Sequence, residues 1–115
     1  MSVLPETLTL LGSFAFNNCP RVRFTTIHEN IILQNYALSN CGRYYQNTEY
    51  EVNVYIGAHT EEEAKNRIGE DAFDGYLGGT GNSKLKYLFP NMNSLDIAGL
   101  GLCNYWGIGE QQVSS

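Results

Sequence analysis

The chain predicts an α+β domain: a mostly antiparallel sheet of about four strands, with one long and one or two short helices on one face. Three observations lead there. Tyr50, Val52, Val54 and Ile56 alternate with Glu51, Asn53 and Tyr55, the two-residue period of a strand with one buried face. Just downstream, Thr60 and Glu63 have the spacing of a capping box, ahead of an apolar stripe at Ala64, Ile68, Ala72 and Tyr76. Third, three strand-like stretches follow one another through short connections. Parallel crossovers need a dozen or more residues, so antiparallel pairing is expected. A length of 115 residues fits a single domain, 1–115, with 109–115 as a flexible or assembly-ordered tail.

Taken in order, residues 4–16 read two ways: Leu4, Leu8, Leu11 and Ala15 suit a short helix from Pro5, the preferred reading, while the alternation of Thr7, Leu8, Thr9 and Leu10 suits a strand. Asn17, Asn18 and Pro20 mark a turn. Arg21–His28 and Ile31–Leu38 are rich in β-branched and aromatic residues and read as strands. The strand at 50–56 then leads into a helix from Thr60 that Gly78-Gly79 ends, since glycine takes the left-handed terminal conformation freely. Gly69 and Gly75 inside that helix each cost about 1 kcal/mol relative to alanine. Gly78–Asn82 is a flexible connector. Ser83 is placed to cap a short helix over Lys84–Phe89, which Pro90 stops. Leu95–Ile108 reads as a strand bulged between Ala98 and Gly101. No internal repeat is expected from the sequence.

Composition narrows the function. Net charge is −5, and Arg21, Arg23, Arg43, Lys65, Arg67, Lys84 and Lys86 are scattered along the chain, a poor match to the clustered cations of a nucleic-acid binder. No apolar run reaches the roughly 20 residues of a membrane span, and the N-terminus lacks the basic flank of a signal peptide. Cys19, Cys41 and Cys103 have neither paired nor zinc-type spacing, so reduced thiols and no metal are expected. GGTGNSK at 78–84 lacks the preceding strand and the glycine-to-GK spacing of a phosphate loop, and no cofactor is expected. The acids gather at Glu61–Glu63 and Glu70–Asp74, where capping and a solvated helix face account for them. No nucleophile–base–orienter set can be assembled, so the chain is expected not to be an enzyme. The catalytic alternative is a small dimeric ligand-binding or enzymatic domain using His59 or Cys41.

The order of motifs resembles that of tail-terminator or tail-completion proteins of long-tailed bacteriophages. The strand YEVNVYIGA, the capped helix TEEEAKNRIGEDAFDGYL, the segment GGTGNSKLKYL and the closing stretch SLDIAGLGLCNYWGI carry the resemblance, over residues 45–108. Ala64, Arg67 and Ile68 match an "A..RL" core. Gly81 and Lys84 match a "GSVKAAL"-like short helix, with Tyr87 where that motif has leucine. Two departures from the family pattern stand out: the usual N-terminal helix is shortened or absent, and the chain stops at Ser115 where members continue past Trp106-Gly107 into another strand. The resemblance implies a structural virion protein forming a ring, expected to be a hexamer. Such a ring closes the tail tube at the neck, contacts the tail tube protein and joins the head-completion or connector protein. It transfers no catalytic residue. Eight tyrosines and a low charged fraction of 17% agree with work through protein contacts. Tyr44, Tyr45, Tyr55 and Trp106 are the expected interface aromatics, with a core anchor as the alternative for Trp106. Asp71 and Asp74 are placed to pair with cations of a neighbouring subunit.

Overall fold

Alternating inward residues make strands here, but the strands pair in a way that the short connections do not suggest. The structure, a computed structural model, describes residues 3–109 and 112–114, and of residues 101–103 the backbone alone. Strands β1 (Leu10–Leu11), β2 (Thr26–Ile27), β3 (Ile32–Leu33), β4 (Val52–Ile56), β5 (Leu85–Leu88) and β6 (Val113–Ser114) accompany helices α1 (Glu61–Arg67) and α2 (Ser94–Gly99). Three 3-10 segments lie at Arg43–Tyr45, Tyr76–Gly81 and Gly101–Trp106. Among the described residues one sheet pairs β1 with β3, the other runs β2-β4-β5-β6, and every pairing is parallel. The antiparallel sheet expected from the sequence is therefore corrected. Successive strands of a sheet belong to successive turns of the chain, so the architecture is a solenoid of stacked coils.

The register exposes a repeat. Leu11 lies beside Leu33, which bridges to Ile68, at spacings of 22 and then 35 residues. At the same two spacings three strings line up: GSFAFNNC at 12–19, QNYALSNC at 34–41 and GEDAFDGY at 69–76. Backbone bonds stitch them together. The Phe16 N–H donates to Ala37 O (2.9 Å), Tyr36 to Glu70 O (2.9 Å), Leu38 to Ala72 O (2.8 Å) and Asn40 to Asp74 O (2.7 Å). Equivalent residues share a backbone conformation as well. Phe14, Tyr36 and Asp71 have φ of 60°, 61° and 50°, and Asn18, Asn40 and Gly75 have 59°, 53° and 69°. A left-handed aromatic is uncommon and costs on the order of 1 kcal/mol or more. The left-handed conformation recurs at this corner in all three coils, on an aromatic in two and on Asp71 in the third, so the stack imposes it.

The inside of the coils is filled by columns of equivalent side chains. Leu11, Leu33 and Ile68 form one, Ala37 and Ala72 another, Leu38 and Phe73 a third, and all are buried. Facing them from the larger sheet are Val54 with Tyr87, Val52 with Leu85 and Ile27 with Ile56, also buried. Phe73 bridges the layers, its ring edge-on to Tyr87 at 5.3 Å.

The parallel stack also corrects the local expectations. The segment 4–16 contains β1 and turns, with no helix among its described residues. Strand structure at 21–28 and 31–38 shrinks to the residue pairs 26–27 and 32–33. Helix α1 ends at Arg67, because Ile68 turns extended and Gly69 N–H donates to Leu33 O (2.8 Å) in the neighbouring coil. Within the segment 84–89 lies strand β5, whose Leu85 and Tyr87, with Phe89 just beyond it, are buried by strict alternation. In place of a bulged strand at 95–108 stand α2, capped by Asn93 accepting from Asp96 N–H (2.8 Å), and a 3-10 segment. The redox expectation for Cys103 and part of the expected tail at 109–115 lie outside the described residues. Overpacking should discriminate the stacked interior from its end. Ala37→Leu is expected to cost about 1–3 kcal/mol in chemical denaturation, whereas Ala15→Leu at the exposed equivalent site should stay within about 0.5 kcal/mol.

Candidate functional site

The smaller sheet presents its outward residues in pairs. Leu10 and Ile32 face each other across β1 and β3, 48% and 45% exposed. A few residues further along each coil, the left-handed corner turns Phe14 and Tyr36 outward. Their rings stack at 4.9 Å with 4° between planes. Asp71 occupies the same corner of the third coil, and the Glu70 and Asp71 charges push the Tyr36 phenol upward. Beside Ile32 a groove of about 420 Å³ is lined by Ser13, Gln34, Asn35, Lys65, Gly69 and Tyr105. One face thus carries four apolar or aromatic side chains next to an open polar groove. Contiguous exposed apolar residues of this kind mark contact sites more often than single ones do.

Arg67 braces that face from behind. By register it follows Leu10 and Ile32, but its guanidinium folds inward and is only 12% exposed. Nε donates to Ile31 O (3.0 Å), Nη1 to Gly57 O (2.6 Å) and Nη2 to His28 O (2.8 Å), with Glu63 at 3.4 Å. Five fixed donors on a planar fork suit this job, which a lysine cannot copy. The side chain locks the end of α1 to the loops after β2 and β4.

The residues expected at interfaces separate into different places. Tyr55 stands on the outer face of the larger sheet, 41% exposed, in a row with Thr26 and Leu88. Tyr44 and Tyr45 sit edge-to-face at 5.3 Å on another corner, with Arg21 over the first at 4.4 Å and Arg23 over the second at 4.8 Å. Asp71 and Asp74 flank the third coil's corner. Trp106 is 2% exposed and packs near Phe89, so its ring is a core anchor. Sequence reasoning overlooked Leu10, Ile32, Phe14 and Tyr36. The signal was the repeated string with its aromatic before the alanine, concealed by the unequal spacings.

The residues of the catalytic alternative do not meet. His59 Nε2 lies 2.7 Å from Glu29 Oε2, and both side chains are about half exposed. The His59 backbone N–H donates to Glu63 Oε2 (3.0 Å), while Glu63 N–H donates to Thr60 Oγ1 (3.1 Å). The capping box thus closes one residue earlier than expected. Cys41 is wholly buried, and its thiol donates to Val22 O (3.4 Å). Burial first, and the Cys19 thiol second, push it up to about 12, far from the thiolate that a nucleophile requires. No group of three or more His, Cys, Asp or Glu among the described residues could hold a metal ion. No helix among the described residues is long and apolar enough to cross a membrane.

Two buried acids make the fold sensitive to alkali. Beside Cys41, the Tyr76 hydroxyl both donates to Phe24 O and accepts from Phe24 N–H, each at 2.6 Å, and burial raises its pKa. Both groups keep their protons longer in the folded chain than in the unfolded one. Their contribution is intact below the unfolded thiol value near 9 and declines as pH climbs towards 12. Denaturation midpoints should be flat from pH 7 to about 8.5 and then fall, by about 1.4 kcal/mol per pH unit for each group once its unfolded form ionises. Cys41→Ala/Tyr76→Phe should flatten that slope. Peptide mapping after thiol labelling of the native chain near pH 8 should leave Cys41 unmodified. No protein-family model, no curated protein and no solved structure matches the chain, so its own surfaces are the ground for reading its function.

Proposed function

We propose that the chain is a non-catalytic docking module that seats an apolar segment of a partner protein on the outer face of β1 and β3. The observation that carries this is the in-register pair Leu10 and Ile32, continued by the stacked Phe14 and Tyr36 and bordered by the polar groove. Coils stacked on a packed interior hold such side chains at fixed spacing, so little order has to be gained on binding. An apolar centre with a polar border is the usual anatomy of a protein contact. Solenoids as a class present extended binding faces. The 22-residue first spacing, with a strand in each coil and 3-10 segments in two, falls within the geometry of leucine-rich repeats, an analogy of architecture.

The finer setting implied by the motif order, a ring at the neck of a tailed phage, is a docking role too. It would place these faces against tail-tube and connector proteins. Of that motif order the strand and the capped helix are present, and the short helix expected over 84–89 is strand β5.

Peptides selected from a random library against the wild-type chain give a direct test. They should be rich in aliphatic and aromatic residues. Binding to Leu10→Ser/Ile32→Ser should weaken at least tenfold, and binding to Tyr55→Ala should not change, since that side chain lies on the other sheet. Equal affinity for the Leu10/Ile32 variant and the wild type would overturn the assignment.

A further inference from the structure

The cations that look scattered in sequence converge at one corner of the first two coils. Tyr44 N–H donates to Pro20 O (2.9 Å) and the Tyr45 hydroxyl to Arg21 O (3.3 Å), which brings Arg43 alongside Arg21 and Arg23. Arg21 and Arg43 are exposed, Arg23 is half-buried, and Tyr44 is 63% exposed. Among the described residues none of the three arginines has a carboxylate partner; the ion pairs all involve other cations. Next along the stack, Glu70, Asp71 and Asp74 edge the third coil, also without a cation partner. Their field is felt by Tyr36, whose phenol they push upward. Asp74 lies one coil from Asn40, through the Asn40 N–H to Asp74 O bond, and Arg43 follows Asn40 by three residues. A basic patch and an acidic patch therefore lie on adjacent coils, neither paired with an opposite charge among the described residues.

We infer that this corner is a self-complementary face on which two copies of the chain pair about a two-fold axis, the arginines of each copy meeting Glu70, Asp71 and Asp74 of the other. A two-fold axis repeats every contact, so adjacent patches of opposite sign are satisfied twice by one rotation. A second copy fits better than a nucleic acid. Three cations on a chain of net charge −5 release few counterions, and the two tyrosine faces that could take bases already lie under guanidinium groups. Exposed ion pairs alone contribute little, so they set register and encounter rate, while the part of Tyr44 that Arg21 leaves uncovered, on a side chain 63% exposed, adds apolar contact. The acidic patch borders the docking face at Tyr36, and Leu10 and Ile32, which take no part in this pairing, tell the two contacts apart.

Sedimentation equilibrium at about 0.05 M and about 0.5 M salt provides the test, since the higher salt screens exposed charges within a few ångströms. The wild type should dimerise at the lower salt and bind itself at least tenfold more weakly at the higher. Arg21→Glu/Arg43→Glu and Glu70→Arg/Asp74→Arg should each be folded by circular dichroism and monomeric, and an equimolar mixture should pair again. If the charge reversals impair folding, Arg21→Gln/Arg43→Gln should still weaken the dimer with an unchanged melting curve. A wild type monomeric at both salts, a dimer indifferent to salt, or a mixture that stays monomeric would each overturn the inference. So would a dimer abolished by Leu10→Ser/Ile32→Ser and kept by the arginine variants.

Discussion

Parallel stacking of equivalent residues is the constraint from which the rest of this molecule follows. Once Leu33 pairs with Leu11 on one side and Ile68 on the other, each coil must repeat the path of the one before it. That requirement explains side chains that local chemistry would place elsewhere. Phe14 and Tyr36 accept the left-handed region because the corner there must turn without breaking the bonds to the next coil. Ala37 and Ala72, equivalent residues of adjacent coils, are both fully buried. Gly42, at φ 77°, sits where a Cβ would collide with the Leu77 side chain and the Val22 carbonyl. Each is a local concession to a non-local ladder.

Helix α1 shows the same hierarchy. Its start is local: Thr60 and Glu63 satisfy free amides, and Glu61 to Glu63 favour the positive end of the dipole. Its end is not. Arg67 leaves the helical surface to bind three carbonyls from two loops, and Ile68 joins the sheet. His28 O also accepts from Ile31 N–H (3.3 Å), whereas Ile31 O and Gly57 O take their donor from the guanidinium. The arginine therefore closes an account that the strand ends open, and it fixes α1 against the β1–β3 layer.

The surface inherits its pattern from the stack. A side chain that points outward in one coil has an outward neighbour at the same position in the next, so chemistry is displayed in short rows: Leu10 with Ile32, Phe14 with Tyr36. Rows change character where the repeat diverges, and the third coil replaces the aromatic with Asp71. Opposite charges thereby come to border each other, although the chain carries only seven cations among twelve acids. Both proposed contacts arise from this geometry, one from columns that repeat along the stack and one from the place where the repeat diverges.

Two elements were determined by sequence alone: the strand core at Val52–Ile56, from its alternation, although Tyr50 lies outside it and is 68% exposed, and the capped start of the helix at Thr60 with Ala64 buried behind it. Their physical causes are local, acting within a few residues. Strand β5 was legible too, since Leu85, Tyr87 and Phe89 alternate, but the capping serine before them favoured a helix. Tertiary structure decided the rest. The three equivalent strings are spaced 22 and 35 residues apart, so no single period announces them, and each coil can bury its apolar side only against its neighbours. Strand direction, the end of α1, the clustering of Arg21, Arg23 and Arg43, and the inward place of Trp106 all depend on that stacking. A window of a dozen residues does not contain the coil that supplies the partner.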